Sequence, residues 1–139
     1  MKKIIICLGL AVSITSCTSL KKENKGNDET TSTVQPSLHN TKWTLIEQVK
    51  GKTPTLVIEN EKITGNAGCN NYFGNVKLDP NTGHFETKGI GSTRMTCPNM
   101  GMEANFLKML GEANRYIMKK EKLELYKDKL LLLQFTKLQ

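Results

Sequence analysis

From Trp43 onward the chain consists mainly of short stretches in which apolar and polar residues alternate. This alternation predicts β-strands in KWTLIEQV, TLVIE, KITGN, YFGNVKL and HFETKGIGSTRM. Residues that favour turns separate the strands, most clearly Asp79, Pro80, Asn81 and Gly83 between the fourth and the fifth. The pattern therefore predicts an antiparallel meander.

One segment has a helical period instead. After Pro98, which suits a first helical turn, apolar residues recur at intervals of three and four, namely Met102, Phe106, Met109, Leu110 and Ala113. The chain then closes with alternating residues around a turn at 127–129, which predicts a final hairpin with Leu123, Leu125, Leu131, Leu133 and Phe135 as its apolar positions. We expect a mainly β (α+β) fold, in which one α-helix packs across a small, antiparallel, barrel-like sheet.

The first 16 residues have the layout of a secretory signal peptide, with two lysines after Met1 and then a short apolar run. Ile14, two small residues and Cys17 resemble a bacterial lipobox, a resemblance that implies acylation of the Cys17 thiol and cleavage before it. The alternative is an ordinary secretory cleavage site that contains a cysteine. We predict residues 1–16 as a lipoprotein signal peptide and Cys17 as the site of lipid attachment to a membrane.

Residues 17–39 differ in composition from the rest of the chain. After Cys17 they contain no aromatic residue, few large apolar residues and many Lys, Glu, Asn, Thr and Ser. Such a segment cannot bury a core, so it predicts a flexible tether that holds a domain of residues 40–139 near the membrane. Thr18 is not the aspartate typical of inner-membrane retention, which favours an outer-membrane protein facing the periplasm.

The chain has four cysteines, and the signal peptide and lipid anchor account for Cys7 and Cys17. Because an exported chain meets an oxidising compartment, Cys69 and Cys97 are expected to form a disulfide. Two alternatives are a metal site that adds His39 or His84, and a cysteine nucleophile activated by His84. A third is a copper site that uses the methionines at 95, 100, 102 and 109. The spacings match no compact ligand pattern, so we predict no metal, no cofactor and no catalytic residue.

The formal net charge of +7 does not by itself indicate a partner. From Asn40 to the end, 15 Lys and Arg stand against 10 Asp and Glu, which leaves +5, densest in RYIMKKEK at 115–122. Nucleic-acid binding also calls for stacking aromatic residues, of which the exported chain has few. We therefore predict no nucleic-acid partner and a solvated basic face.

Three groups of residues form a specific combination. They lie in GNAGCNNYFGN, STRMTCPNMGMEANFLKML and LELYKDKLLLLQF, and the opening strand adds Trp43 and Leu45. The positions concerned are Gly68, Cys69, Asn70, Tyr72, Gly74, Thr93, Met95, Cys97, Met102, Glu103, Phe106, Leu107 and Leu110. Together they resemble the META domain family, which includes the HslJ-like heat-shock lipoproteins. Val76 departs from the pattern, because the family often has an aromatic residue there.

The resemblance implies an antiparallel β fold with one helix, an envelope location and a link to stress tolerance, drug resistance or motility. It carries over no catalytic residue. The residues themselves have simple structural readings: Asn70 and Asn71 suit a turn more than a ligand cradle, and Glu103 suits the positive end of the helix dipole. We expect a non-enzymatic, lipid-anchored envelope protein with an interaction or protective role and an envelope protein as partner. The alternative functions are inhibition of a secreted hydrolase, a lysozyme or a protease, and a thiol- or metal-dependent activity.

Overall fold

The computed structural model describes residues 34–98 and 100–139. Within these residues the chain forms eight β-strands and one α-helix. In chain order they are β1 Thr41–Leu45, β2 Thr55–Glu59, β3 Lys62–Asn66, β4 Asn71–Asp79, β5 His84–Ser92, α1 Met100–Glu112, β6 Arg115–Lys119, β7 Lys122–Lys127 and β8 Leu130–Lys137.

Each strand pairs antiparallel with the next, and β8 pairs with β1, so the sheet closes into a barrel. The helix lies in the connection between β5 and β6. This architecture confirms the predicted mainly β fold with one packed helix. The strands β2 and β3 have the bounds that alternation predicts, 55–59 and 62–66.

The barrel interior holds the apolar half of each alternating strand. Trp43 of β1 is registered with Leu56 of β2, and both side chains are fully buried, as is Ile58. Full burial of a large apolar side chain stabilises the fold by about 1.5–3 kcal/mol. Because side chains on a strand point alternately to the two faces, this register leaves the intervening residues at the outer surface.

The helix covers part of this interior with one face. Phe106 is buried, and its ring centroid lies 5.7 Å from that of Tyr72 in β4 and 6.3 Å from that of Phe135 in β8. Leu110, one turn further along, is also fully buried. The predicted helical period thus matches the face that packs on the core.

The basic segment 115–122 contains a strand that the sequence analysis missed. Arg115–Lys119 forms β6 and pairs with β7, and Tyr116 points into the core with no exposed surface. The guanidinium of Arg115 stacks over the Tyr126 ring at 4.9 Å. The interpretation of this segment as a solvated basic face is therefore wrong for its inward side, although Lys119 and Lys120 are exposed.

The domain begins before the predicted boundary at residue 40. Leu38 has no exposed surface and belongs to the core. The Gln35 N–H donates to the Pro80 carbonyl at 2.7 Å, and the Tyr116 hydroxyl donates to the Pro36 carbonyl at 3.2 Å. The residues at the end of the predicted tether are therefore part of the folded domain. The sequence analysis did not predict this, because Leu38 is a single apolar residue among polar neighbours.

One apolar position of the last hairpin also differs from the prediction. Leu125 pairs with Leu133 but Tyr126 pairs with Leu131, so Leu132 is an extra residue in β8. A bulge of this kind shifts the alternation by one residue. Leu131 is consequently 41% exposed rather than buried.

Candidate functional site

The two cysteines and several polar residues of the family signature come together in one place. The loop between β3 and β4, residues 93–97 after β5, and Glu103 of α1 meet there, and we call them the motif cluster. Three elements distant in sequence are joined at this place.

The loop between β3 and β4 is held by its own polar groups. Asn66 Oδ1 accepts from the Gly68 N–H at 2.9 Å, and the Ala67 N–H donates to the Asn70 carbonyl at 2.8 Å. Gly68 has φ 108°, and a Cβ there would collide with the terminal methyl of Met102. The left-handed backbone conformation favours glycine at this position, whereas the flexible end of Met102 could move away from a Cβ.

A disulfide joins this loop to the segment that leads into the helix. Cys69 and Cys97 are bonded, with their Cα atoms 6.2 Å apart, and are separated by 28 positions in sequence. The bond is the one that the sequence predicts. It removes the thiol that either the metal hypothesis or the nucleophile hypothesis would use.

Next to the disulfide, Asn70 binds the carboxylate of Glu103. The Asn70 N–H donates to Glu103 Oε2 at 2.8 Å, and Asn70 Nδ2 lies 3.1 Å from Oε1 and 3.2 Å from Oε2. Asn70 is 1% exposed and Glu103 is 7% exposed. Bonds to an ionised group in a buried place are among the stronger hydrogen bonds in proteins.

The other end of the same amide fixes the segment after β5. Asn70 Oδ1 accepts from the Thr93 hydroxyl at 2.8 Å and from the Met95 N–H at 2.7 Å, while Asn70 Nδ2 donates to the Met95 carbonyl at 3.0 Å. One buried side chain therefore connects the loop between β3 and β4, the segment of residues 93–97 and α1.

These contacts extend two interpretations of the sequence. Asn70 lies in a turn, but its side chain also bonds to groups 25 and 33 positions away. Glu103 lies in the first turn of α1 but serves as the buried acceptor for Asn70. The family pattern includes both residues, but their contact could not be predicted, since hydrophobic periodicity does not encode polar contacts over such distances.

The remaining signature residues support the cluster from the core. Tyr72 donates its hydroxyl to the Thr55 carbonyl at 2.8 Å, and burial raises the pKa of its phenol. Trp43 Nε1 donates to Thr41 Oγ1 at 2.7 Å. Gly74 stands opposite a bulge in β5, where a Cβ would lie 3.3 Å from Ile90. Their roles are packing and register.

The candidate metal ligands are placed apart from one another. In residues 34–98 and 100–139 no three His, Cys, Asp or Glu side chains group closely enough to hold a metal ion. His39 Nδ1 lies 3.0 Å from the Asn60 carbonyl, and His84 Nε2 lies 3.8 Å from Glu86. Met95 and Met100 are exposed, at 56% and 49%.

The anchor prediction concerns residues beyond this part of the chain. Cys17 and the signal peptide lie outside the described residues. Over the described part, no helix has both the length and the apolar character needed to cross a bilayer.

The chain is thus a small, antiparallel β-barrel with one packed helix, in which a disulfide and a buried polar pair hold three elements together. A family model for the META domain matches residues 36–139. The chain belongs to the META domain family.

Solved structures share the fold. A protein from Burkholderia xenovorans, solved by NMR, is 24% identical with a TM-score of 0.58, and the match covers 73% of this chain and 83% of that one. A DUF4847 family protein from Bacteroides vulgatus ATCC 8482 is 14% identical with a TM-score of 0.53, with coverage of 71% and 93%. No curated protein matches the chain at a significant level.

Proposed function

We propose that this META domain protein is a non-enzymatic, lipid-anchored module of the bacterial envelope. In this proposal Cys17 carries the lipid, residues 18–33 space the domain from the outer membrane, and the barrel faces the periplasm. There it binds or protects envelope components under stress. The signal peptide and the lipobox support the location, and the family supports an envelope role.

The observation that carries the non-enzymatic reading is the internal use of the signature. A catalytic carboxylate must reach a substrate, whereas both oxygens of the buried Glu103 accept hydrogen bonds from Asn70. The sulfur atoms of Cys69 and Cys97 are bonded to each other. The groups that most resemble catalytic groups therefore bond within the protein and stabilise the fold.

Membrane fractionation of cells that express the full chain tests the anchor. The wild-type chain is expected in the detergent-extracted membrane fraction, and Cys17→Ser is expected in the soluble fraction. The variant should remain folded, because Leu38 and its contacts lie beyond the tether. A Cys17→Ser chain that stays on washed membranes after its signal peptide has been removed contradicts lipid anchoring.

A thiol titration tests the competing thiol- or metal-dependent function. We expect no reactive thiol from Cys69 or Cys97 in the native, non-reduced protein. Two thiols that react in the native state would favour the competing function instead.

One observation favours a second function, inhibition of a secreted protease. Residues 93–96 are exposed, yet Asn70 holds Thr93 and Met95 and the disulfide holds Cys97. A loop ordered in advance loses less entropy when it binds in a protease cleft. The basic surface disfavours a cationic lysozyme as the target.

Arg94 is the exposed basic residue of that loop, so a protease that cleaves after arginine is the natural probe. Inhibition of trypsin by the native chain, lost in Arg94→Ala and kept in the matched surface variant Lys129→Ala, would support this function. Rapid cleavage at Arg94 without inhibition would exclude it.

A further inference from the structure

The strands β5 and β6 are joined at one end only. In the described residues His84 and Arg115 form the one registered pair between them, whereas β5 pairs with β4 from His84 to Ser92. Over residues 86–92, the edge of β5 that faces away from β4 therefore has no strand beside it. The helix α1 lies there instead, linked by the Thr87 hydroxyl, which donates to the Leu110 carbonyl at 3.2 Å.

A groove of about 350 Å³ runs between this strand edge and the helix. Residues 89–92 form one wall, and Leu107, Lys108 and Gly111 form the other. Glycines keep it open: a Cβ at Gly89 would meet nothing within 4 Å, and one at Gly111 would meet only Ile90 at 3.7 Å. The main chain of β5 is thus accessible from the groove.

We propose that this groove binds an extended, acidic peptide segment of another protein, which adds to the edge of β5 as an extra strand. An open strand edge offers main-chain donors and acceptors at the spacing that a further strand needs, about 4.8 Å away. The three residues 90–92, beyond the left-handed Gly89, span about 10 Å of strand. Peptide recognition by strand addition obtains its affinity from such main-chain bonds and its specificity from side-chain contacts.

The charge around the groove selects the peptide. Lys108 is the charged side chain of its walls, and it is exposed. The nearby carboxylates already have cationic partners, since Glu86 lies 3.1 Å from Lys88 and Glu112 lies 3.1 Å from Lys127. An acidic side chain on the bound strand would therefore complement Lys108.

An exposed aromatic side chain adjoins the same edge. Phe73 of β4 is 60% exposed, and its ring covers Gly91, where a Cβ would lie 2.9 Å from Phe73 Cζ. Exposed aromatic residues are typical of binding surfaces, because they bury a large area at low entropic cost. Phe73 gives the bound strand an apolar contact on the outer face of the sheet.

The bulge in β5 offers a different reading of the same edge. Gly89 and Ile90 both stand opposite Gly74, and bulges can protect an open edge against pairing. In that case the groove binds no strand.

The inference deepens the proposed function, since it names a partner for a protein that acts by binding, but it does not depend on the lipid anchor.

An array of immobilised decapeptides tests the inference with the full mature chain in detergent micelles. The peptides alternate β-branched residues with a varied position that carries glutamate, lysine or serine. We expect glutamate peptides to bind at least ten times more tightly than their lysine counterparts. The best binder should lose its binding when alternate peptide nitrogens are methylated, because its side chains remain while its main-chain donors are removed.

Two helix variants locate the binding. Gly111→Leu places a side chain in the groove, where the structure has room for its Cβ, and should abolish binding while the unfolding temperature is retained. Gly101→Leu is the matched control at the other end of the helix, with open space around it, and should bind as the wild type does. Lys108→Glu should reverse the preference to lysine peptides, whereas Lys129→Glu should not.

Absence of binding across the array, equal binding of the methylated peptide, or full binding by Gly111→Leu overturns the inference. So does a chain that dimerises through this edge and ignores the peptides. Fractionation of Cys17→Ser is a separate readout, so failure of the anchor and failure of the groove are distinguishable.

Discussion

The motif cluster and the meander of β6, β7 and β8 are two regions of the same barrel that are held together in different ways. In the meander, each strand pairs with its neighbour in sequence through a tight turn, with Lys120 at φ 55° in one and Asp128 at φ 55° in the other. In the motif cluster, a disulfide spans 28 positions and the bond from Asn70 to Glu103 spans 33. One side is held by local main-chain pairing and the other by a few distant side chains.

This difference explains why the polar and cysteine positions of the family signature lie at the motif cluster. Local hairpins tolerate many sequences, because main-chain bonds and an apolar alternation suffice to form them. The junction of a loop, an irregular segment and a helix has no such regular pairing, so specific residues must make each contact. A distinctive signature can therefore mark an architectural junction rather than an active site.

Removal of the disulfide should have the largest effect on the motif side. We expect the double variant Cys69→Ala and Cys97→Ala to lose about 3–4 kcal/mol of unfolding free energy in the chain-entropy model, because the unfolded chain gains freedom. Denaturant unfolding followed by circular dichroism measures it. Unchanged stability would show that the cluster does not depend on the bond.

Leu38→Ala should come next, as a core change beside the meander. The residue is fully buried, so its truncation is expected to cost about 2–3 kcal/mol through lost burial and a cavity. Val34→Ala is the matched control, since Val34 is 66% exposed and should change the midpoint of denaturant unfolding little. Equal changes in the midpoint for the two variants would show that residues 34–38 belong to the tether and not to the folded domain.

Asn70→Ala should distinguish the two regions directly. It removes both side-chain bonds to Glu103 and leaves the Met95 N–H without its partner, and we expect a loss of about 2 kcal/mol. Asn114→Ala is the comparison on the meander side, where the exposed amide bonds to Asp128 at 2.9 Å, and it should cost about 0.5 kcal/mol. Equal losses in thermal unfolding would contradict the contrast between the regions.

The sequence predicts the regular parts of this fold well. Leu56 and Ile58 alternate cleanly between turn residues, and β2 has the predicted bounds. In contrast, β6 was missed because Tyr116 is its one fully inward residue and basic side chains surround it. Leu38 was missed for a similar reason, since a single apolar residue in a polar segment gives no period.

The sequence predicted which residues belong to the candidate site but not the contacts that they make. The cysteine pair follows from counting cysteines in an exported chain, and the signature residues are identified by the family pattern. The role of Asn70 depends on a contact with Glu103 that only the folded chain brings about. Strand bulges such as that at Leu132 are likewise decided by tertiary pairing and not by local pattern.

Acid should affect the meander by a smaller amount, through Glu124. Burial alone raises the pKa of this carboxyl, but hydrogen bonds from Tyr126, Gln134 and Lys119 outweigh it and hold the pKa below its ordinary value. The resulting stabilisation is complete above the ordinary pKa of about 4.3 and is lost as pH falls through the depressed value.

The comparison with Glu124→Gln isolates this contribution, because other carboxylates are common to both chains. Between pH 6 and pH 3 we expect the wild type to lose about 1 kcal/mol more unfolding free energy than the variant. Parallel pH profiles in denaturant titrations would show that the cluster around Glu124 contributes no stability through its charge.

Hydrogen exchange at one amide tests most directly whether the motif cluster is an architectural junction. Met95 is 56% exposed and lies outside any strand, yet its N–H donates to Asn70 Oδ1 at 2.7 Å. We expect this amide to exchange as slowly as those of the core strands in the native chain, and to exchange rapidly in Asn70→Ala. Exchange at the rate of an open loop in the native chain would contradict the account.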